Sequence, residues 1–354
     1  MTIPHSRPTL GDEDAQAALE AIHSGQLAEG ARVADFEAKM ASYLSRSGGV
    51  AVSSGTAALH LSLLATGVEP GDTVIVPSYN CAALAQAVAH AGARMRLCDV
   101  DPATGNPTAE TISSVGTGAQ AIIVAHVFGA PAEIEKITAI GPPVVEDLAQ
   151  ALGASLPGGK AGSFGQLAVC SFYATKLMTA GGEGGMILGD DALALEKARD
   201  SRSYDERGDL APRWNYKLTD LQAAIGLAQL SRFEEFIKRR REIAAFYDEH
   251  LAQSPLELPT NATGGHVYHR YVVGLPDSWI KERGAESVEQ AIAEFKKNGI
   301  SARRPIYRPL HVLTGESGFP GADDAWARHL SLPIFPTMTD DEADAVAKTA
   351  LSIF

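Results

Sequence analysis

The chain has 354 residues, 45% of them hydrophobic and 21% charged, proportions that fit a folded globular protein and exclude a disordered one. Its 43 acidic and 30 basic residues leave a net charge of −13, a field that repels polyanions and argues against a general nucleic-acid or anionic-membrane surface. Three cysteines without a CxxC pair indicate neither a disulfide framework nor a zinc site, no apolar run approaches the ~20 residues of a membrane span, and MTIPHSRPTL lacks the apolar core of a signal peptide; a reducing cytoplasm is the expected compartment.

In chain order, the first 45 residues read as two helices broken at Gly25 and Gly30. From Val50 to about Gly189, short Val- and Ile-rich runs (VAVSS, TVIVPSY, MRLCDV, AIIVAHVFG, PVVEDL, LAVCSFY and GMILG) alternate with helix-length segments. Runs apolar on both sides predict an α/β fold, a mostly parallel central sheet with helices on both faces. Pro70, Gly71 and Asp72 punctuate one connection, and Pro131 marks the start of a helix. Residues 217–250 carry apolar positions at three- and four-residue spacing and predict one long helical stretch linking two domains. Beyond about Pro255, a strand (YHRYVVGL), a helix ending near Asn298 and Gly299, a strand-like ISARRP segment and a last helix from Thr339 predict a compact α+β unit. The expected division is a large domain over residues 1–250 and a small C-terminal domain over residues 251–354.

Ligands of such sheets lie beyond the carboxyl ends of the strands, where Ser54, Tyr79, His126, Asp147 and Ser171 fall. Lys176 ends the run SFYATK, just ahead of the glycine cluster at Gly181, Gly182, Gly184 and Gly185, and downstream of VVEDLAQ with Asp147 and Gln150. A lysine where a strand opens into a glycine-rich turn, with a carboxylate on a neighbouring strand end, is the arrangement pyridoxal phosphate chemistry requires. The amine carries the cofactor as a Schiff base and the carboxylate keeps its ring nitrogen protonated. At about 3 Å and an effective dielectric of about 20, that attraction is roughly 5 kcal/mol before desolvation losses. Gln150 could donate to the ring hydroxyl oxygen, and Ser171 could bond the phosphate. The Ser54-Gly55-Thr56 run opens an amphipathic helix; it serves equally as an ordinary N-cap, and Lys176 and Asp147 turn the reading toward a phosphate site. The AGGEGG cluster contains no dinucleotide fingerprint and precedes a strand instead of opening a helix.

The strings SSGTAALHLSLL, GDTVIVPSYNCAAL, VVEDLAQALGA, SFYATKLMTAGGEGGM and WNYKLTDLQAAIGLAQL, in this order, resemble the successive signatures of the DegT/DnrJ/StrS sugar aminotransferases. The similarity runs over nearly the whole chain. It implies the aspartate-aminotransferase fold, pyridoxal phosphate joined to Lys176, Asp147 on the ring nitrogen and Gln150 on the ring oxygen, with Gly55, Thr56 and Ser171 on the phosphate. It implies that Asn215 enters the neighbouring subunit's phosphate site, hence a homodimer with shared active sites. Cys81 stands where many members stack an aromatic residue on the cofactor, and Lys217 where many have arginine. Tyr307 and His311, in RPIYRPLHVL, resemble a segment bordering the sugar pocket. A lysine at position 176, where the family's dehydratases have histidine, favours amino transfer. The implied reaction moves an amino group from an amino acid, L-glutamate, to a nucleotide-linked keto-sugar, without a metal. A keto-cyclitol acceptor, an eliminating enzyme and a cofactor-binding regulator without turnover are the alternatives.

Overall fold

The computed structural model describes residues 2–116 and 118–354. Seven strands form the central sheet: β1 (Gly48–Val52), β2 (Thr73–Pro77), β3 (Arg94–Cys98), β4 (Ala121–Ala125), β5 (Val144–Asp147), β8 (Leu167–Ser171) and β9 (Gly185–Gly189). A small hairpin, β6 (Ser155–Leu156) and β7 (Gly159–Lys160), lies between β5 and β8 in the chain. The order across the sheet is β1-β9-β8-β5-β4-β2-β3, and all pairings are parallel except those of β9, which runs against both β8 and β1.

The sequence reads as continuous apolar runs because the sheet is covered on both faces. Along β8, Leu167 and Val169 enter one core layer while Ala168 and Cys170 enter the other. The first layer packs against helix Gly55–Ala65 through Ala58, Leu59 and Leu61; the second packs against helix Ala31–Tyr43 through Val33, Phe36 and Met40. Each fully buried Val, Leu or Phe contributes on the order of 1.5–3 kcal/mol, so both helices are held by the sheet more than by their own propensity. A separate core gathers Tyr271 and Val273 of β10 (Tyr271–Gly274), Leu330 and Leu332 of β11 (His329–Leu332), Phe295 and Val346. It also draws in Ile3 and, from helix Phe233–Leu251, Ile243, Tyr247 and Leu251.

Three expectations change. The helical stretch over residues 217–250 is two helices, Asp220–Ser231 and Phe233–Leu251, parted at Arg232, whose backbone leaves the helical region (φ −112°, ψ 7°). Its guanidinium is drawn to Asp14 at 2.7 Å and Glu13 at 3.1 Å on the first helix. The ISARRP segment forms no strand but two isolated bridges. Ser301 donates to the Ile3 carbonyl, whereas Arg303 exchanges hydrogen bonds with Ser331, so neither ladder propagates. The helix after Pro131 starts only at Ile134, because the intervening Ala132 amide donates to His126 Nδ1. Among the described residues, no helix is long and apolar enough to cross a membrane.

Candidate active site

The carboxyl ends of β1, β5 and β8 lie side by side with the start of β9, and their chain reversals build one cavity. Val52 and Ser171 are both register partners of Gly185. A Cβ on Gly185 would stand 2.3 Å from the Ser54 carbonyl oxygen, so only glycine lets the turn after β1 close over β9. Ser54 then caps helix Gly55–Ala65, its side chain accepting from the Ala57 amide at 3.1 Å. The amides of Gly55 and Thr56, first in that helix, have no acceptor within it. Gly55 lies so close to Ser171 that a Cβ would meet the serine Cβ at 2.8 Å. The result is a concave wall of helix-terminal amides and hydroxyls.

Lys176 sits in the turn between β8 and β9, its amide donating to the Tyr173 carbonyl at 2.9 Å, while Ala174 and Phe172 donate to Gly182 and Gly184. Its side chain and that of Asp147 line a cavity of about 320 Å³ together with Gly55, Thr56, Cys81, Ser171, Tyr173 and Glu183. Asp147 is buried; one carboxylate oxygen accepts from the Ala149 amide at 2.9 Å, and the other has no hydrogen-bond partner among the described residues. Burial raises the Asp147 carboxyl above its ordinary range, against the Ala149 amide, Lys176 and His126, which favour the anion. Burial lowers the Lys176 amine below the usual lysine range; Cys81 and Asp147 pull it up and Arg270 pushes it further down. The Cys81 thiol, on a residue that is itself exposed, is raised by desolvation among the cavity walls and by Asp147, against Lys176.

Behind Asp147 the strand is pinned by Glu146, which is fully buried and accepts from the amides of Gly162 (2.7 Å), Phe164 (2.9 Å) and Gly165 (2.6 Å). His126 accepts from Ala132 on Nδ1, which leaves its Nε2–H to donate to Glu146 at 3.0 Å. Burial alone would raise the Glu146 carboxyl, yet His126 and the amides outweigh it and the carboxyl lies below its ordinary range. This pair fixes the end of β5, so the free oxygen of Asp147 is aimed by the sheet and not by a flexible loop.

Of the residues singled out from the sequence, Lys176, Gly55, Thr56, Cys81, Asp147 and Ser171 come together on this cavity. Gln150 lies off its wall, its side-chain oxygen accepting from the Phe128 amide at 3.0 Å. Asn215 is exposed and is not among the lining residues. Tyr307, 81% exposed, lines a second, larger cavity of about 980 Å³. His311 lines neither: it is buried, its ring held between Ser78 Oγ on Nδ1 and Asp323 on Nε2 at 3.0 Å. Sequence reasoning passed over Tyr173 and Glu183, and also Arg270, which sits in a run read only as a strand. The Arg270 amide donates to the Phe128 carbonyl at 3.1 Å, and its side chain lines the larger cavity while lying near enough to Lys176 and Cys81 to affect both.

The donor set fits pyridoxal phosphate: an amine for its aldehyde, an unpartnered carboxylate oxygen on a buried residue for its ring nitrogen, and unpaired helix-terminal amides beside Ser171 for its phosphate. Among the described residues there is no cluster of three or more His, Cys, Asp or Glu side chains suited to a metal ion.

Residues 8–350 match the DegT/DnrJ/EryC1/StrS aminotransferase family. The dTDP-4-dehydro-2,3,6-trideoxy-D-glucose 4-aminotransferase of Saccharopolyspora spinosa is 33% identical over 368 residues, covering 96% of this chain and 94% of that protein. The GDP-perosamine synthase of Caulobacter vibrioides is 33% identical over 358 residues, with 96% and 95% covered. The crystal structure of the aminotransferase TlmJ from Streptoalloteichus hindustanus superposes with a TM-score of 0.90 at 33% identity, covering 99% of this chain and 98% of that one. With the site and the whole-chain match in agreement, the protein belongs to the DegT/DnrJ/EryC1/StrS aminotransferase family and is a pyridoxal phosphate-dependent transaminase.

Proposed function

We propose that this transaminase takes an amino group from an amino acid, L-glutamate, and delivers it to the ketone of a nucleotide-linked sugar. The observation that carries the reading is the convergence of Lys176 and Asp147 on one cavity that Gly55, Thr56 and Ser171 also line. The two relatives named above, each at 33% identity, take their names from nucleotide-linked sugars, which supports an acceptor of that class. Bound pyridoxal phosphate supplies an electron sink that stabilises negative charge on the carbon losing its proton.

The chain's own residues do the rest. Asp147, through its unpartnered oxygen, would hold a proton on the ring nitrogen, and the burial of the residue as a whole limits competition from water. Gly55, Thr56 and Ser171 would hold the phosphate, whereas Gln150, off the cavity wall with its side-chain oxygen taken by the Phe128 amide, braces the loop behind the site. Lys176 Nζ would hold the cofactor between turnovers and, when free, would take the proton from the donor's reacting carbon and later return one to the acceptor's former carbonyl carbon. Its lowered basicity suits this work, because a smaller share of the amine is locked as ammonium near neutral pH. Cys81, on the cavity wall, would offer the ring a thin, polarizable contact. The exposed Asn215, flanked by the stacked Trp214 and Tyr216 rings, reaches the phosphate end of a second subunit, giving a cytoplasmic homodimer with shared sites.

Borohydride reduction of the cofactor-loaded protein, followed by peptide mass analysis, places the cofactor on the peptide containing Lys176. Lys176→Ala loses that label and slows transfer from L-glutamate to a nucleotide-linked keto-sugar at least ~10²–10⁴-fold, the usual worth of a positioned acid–base. A variant that keeps turning over, or a label on another lysine, overturns the assignment.

A further inference from the structure

The larger cavity is basic in a protein whose net charge is −13. Its cations are not alike. Arg304 is paired with Glu289, its Nε and Nη2 at 2.5 and 2.7 Å from the two carboxylate oxygens. Arg270 and Arg303, by contrast, have no carboxylate within 4.0 Å among the described residues, and Arg270 Nε is buried without any hydrogen-bond partner. The guanidinium of Arg270 makes a single long contact, 3.4 Å, to His5 Nε2, which Ser331 also touches at 2.9 Å. An imidazole nitrogen that accepts from a guanidinium must be unprotonated. His5 is accordingly held down to about 3, by burial first and then by Arg270, Arg303 and Arg240. Arg240 is a different case, since its Nη1 is taken up by the carbonyls of Tyr268, His269 and Ile334.

The partly buried Arg270 thus faces a neutral ring with no carboxylate to balance it, and the exposed Arg303 adds a second guanidinium without a carboxylate partner nearby. Leaving such charge unpaired destabilises a fold, whereas an anion seated on it would gain charge-assisted, fork-shaped hydrogen bonds. The place also selects the anion. Arg270 is tied through its amide to the Phe128 carbonyl in the turn after β4, and its charge reaches the Lys176 amine of the neighbouring cavity, so whatever it holds would be attached near the reacting carbon. In an amino acid the carboxylate is one bond from that carbon; in a nucleotide-linked sugar the diphosphate lies several bonds from the ketone.

We propose that Arg270, assisted by Arg303, binds a carboxylate of the substrate and so sets the reacting carbon against Lys176. This rests on the transaminase reading of the neighbouring cavity. The carboxylate belongs to the amino donor or to a carboxylated keto-sugar, and the two half-reactions separate these sources.

The experiment uses the cofactor-loaded enzyme and the variants Arg270→Met, Arg270→Lys and Arg303→Met. If the donor is held, Arg270→Met raises the L-glutamate concentration for half-maximal rate in the donor half-reaction about 10- to 100-fold, Arg270→Lys recovers part of it, and the acceptor half-reaction is unchanged. If the acceptor is held, the donor half-reaction is unchanged and the loss appears only with a keto-sugar bearing a carboxylate, not with its neutral counterpart. In either case the substrate-free Tm of Arg270→Met is no lower than that of the parent, because an uncompensated cation has been removed. Half-reactions within twofold of the parent in both Arg270→Met and Arg303→Met overturn the proposal, as does a lowered Tm with kcat and KM failing together for all substrates. Borohydride labelling of Lys176 in the same samples keeps the outcomes apart: a label with unaltered kinetics sinks only the carboxylate site, whereas no label in the parent sinks the transaminase reading.

Discussion

The two cavities differ in what holds their functional groups. Around Lys176, positions are set by the backbone: β5 and β8 end at Asp147 and Ser171, a helix begins at Gly55, and the buried Glu146–His126 pair fixes the strand behind. Around Arg270 and Arg303, positions are set by side chains reaching from loops, and one carboxylate, Glu289, serves a cavity lined by five basic residues. A cavity formed by strand ends can hold the same cofactor through every turnover, because the sheet does not repack. One formed by long side chains adapts to what enters, and its unbalanced charge is settled only by the ligand. On the proposed reading, fixed chemistry lies on the sheet and selection of the substrate on the C-terminal residues.

Breaking the first cavity has the larger effect. Asp147→Asn keeps the shape and the Ala149 hydrogen bond but removes the charge, and kcat is expected to fall about 10²–10³-fold, the scale seen when one preorganised electrostatic group is lost. The borohydride label on Lys176 should persist, since the amine is untouched; a kcat within about threefold of the parent would remove Asp147 from its role. Next comes Gly55→Ala. Its Cβ would lie 2.8 Å from that of Ser171, and overpacking of this kind costs about 1–3 kcal/mol. Cofactor affinity is expected to drop roughly 10-fold or more by absorbance titration, with a lower Tm. Adding Ser171→Gly relieves the contact and restores Tm but not affinity, because a phosphate-binding hydroxyl is then missing. Full recovery of affinity would mean that Ser171 holds no phosphate.

The same contrast explains what could be read from the sequence. The sheet was legible because β4, β5 and β9 are buried throughout, so their residues are apolar without interruption, and because each chemical residue sits at the end of such a run. Asp147, Ser171 and, in the turns that such runs open, Gly55, Thr56 and Lys176 follow from that rule, whereas Cys81 follows only from the family resemblance. Arg270 does not, since YHRYVV has the appearance of an edge strand with one solvated charge; its burial depends on docking against Phe128, more than a hundred residues away. The expected strand at ISARRP failed for a related reason, its backbone being divided between Ile3 and Ser331. His311 was legible as a special residue but not as a buried one, because Ser78 and Asp323 meet it only through tertiary contact. The long helix is divided at Arg232, where no Gly or Pro announces the break and the side chain pairs with two acids near the other end of the chain.

The smallest expected effect is on stability and tests the second cavity without any substrate. Four buried histidines, His5, His60, His266 and His329, are held down to between about 3 and about 4 in the folded chain, by burial before any other cause. Below the ordinary value of 6.5 the unfolded chain takes up protons that the folded chain refuses, so stability is fullest above 6.5 and declines as pH falls from there toward 3 to 4. Each histidine contributes at most about 1.4 kcal/mol per pH unit to that slope. His5→Gln removes one share and keeps an acceptor for Arg270, so urea denaturation between pH 6.5 and 4.5 should give a shallower decline by about that amount. Arg270→Met should flatten it less, because burial, the larger cause, remains. If His5→Gln leaves the slope unchanged, the imidazole is already protonated among the arginines, and the cavity would then lack the neutral neighbour that lets Arg270 turn its charge toward a ligand.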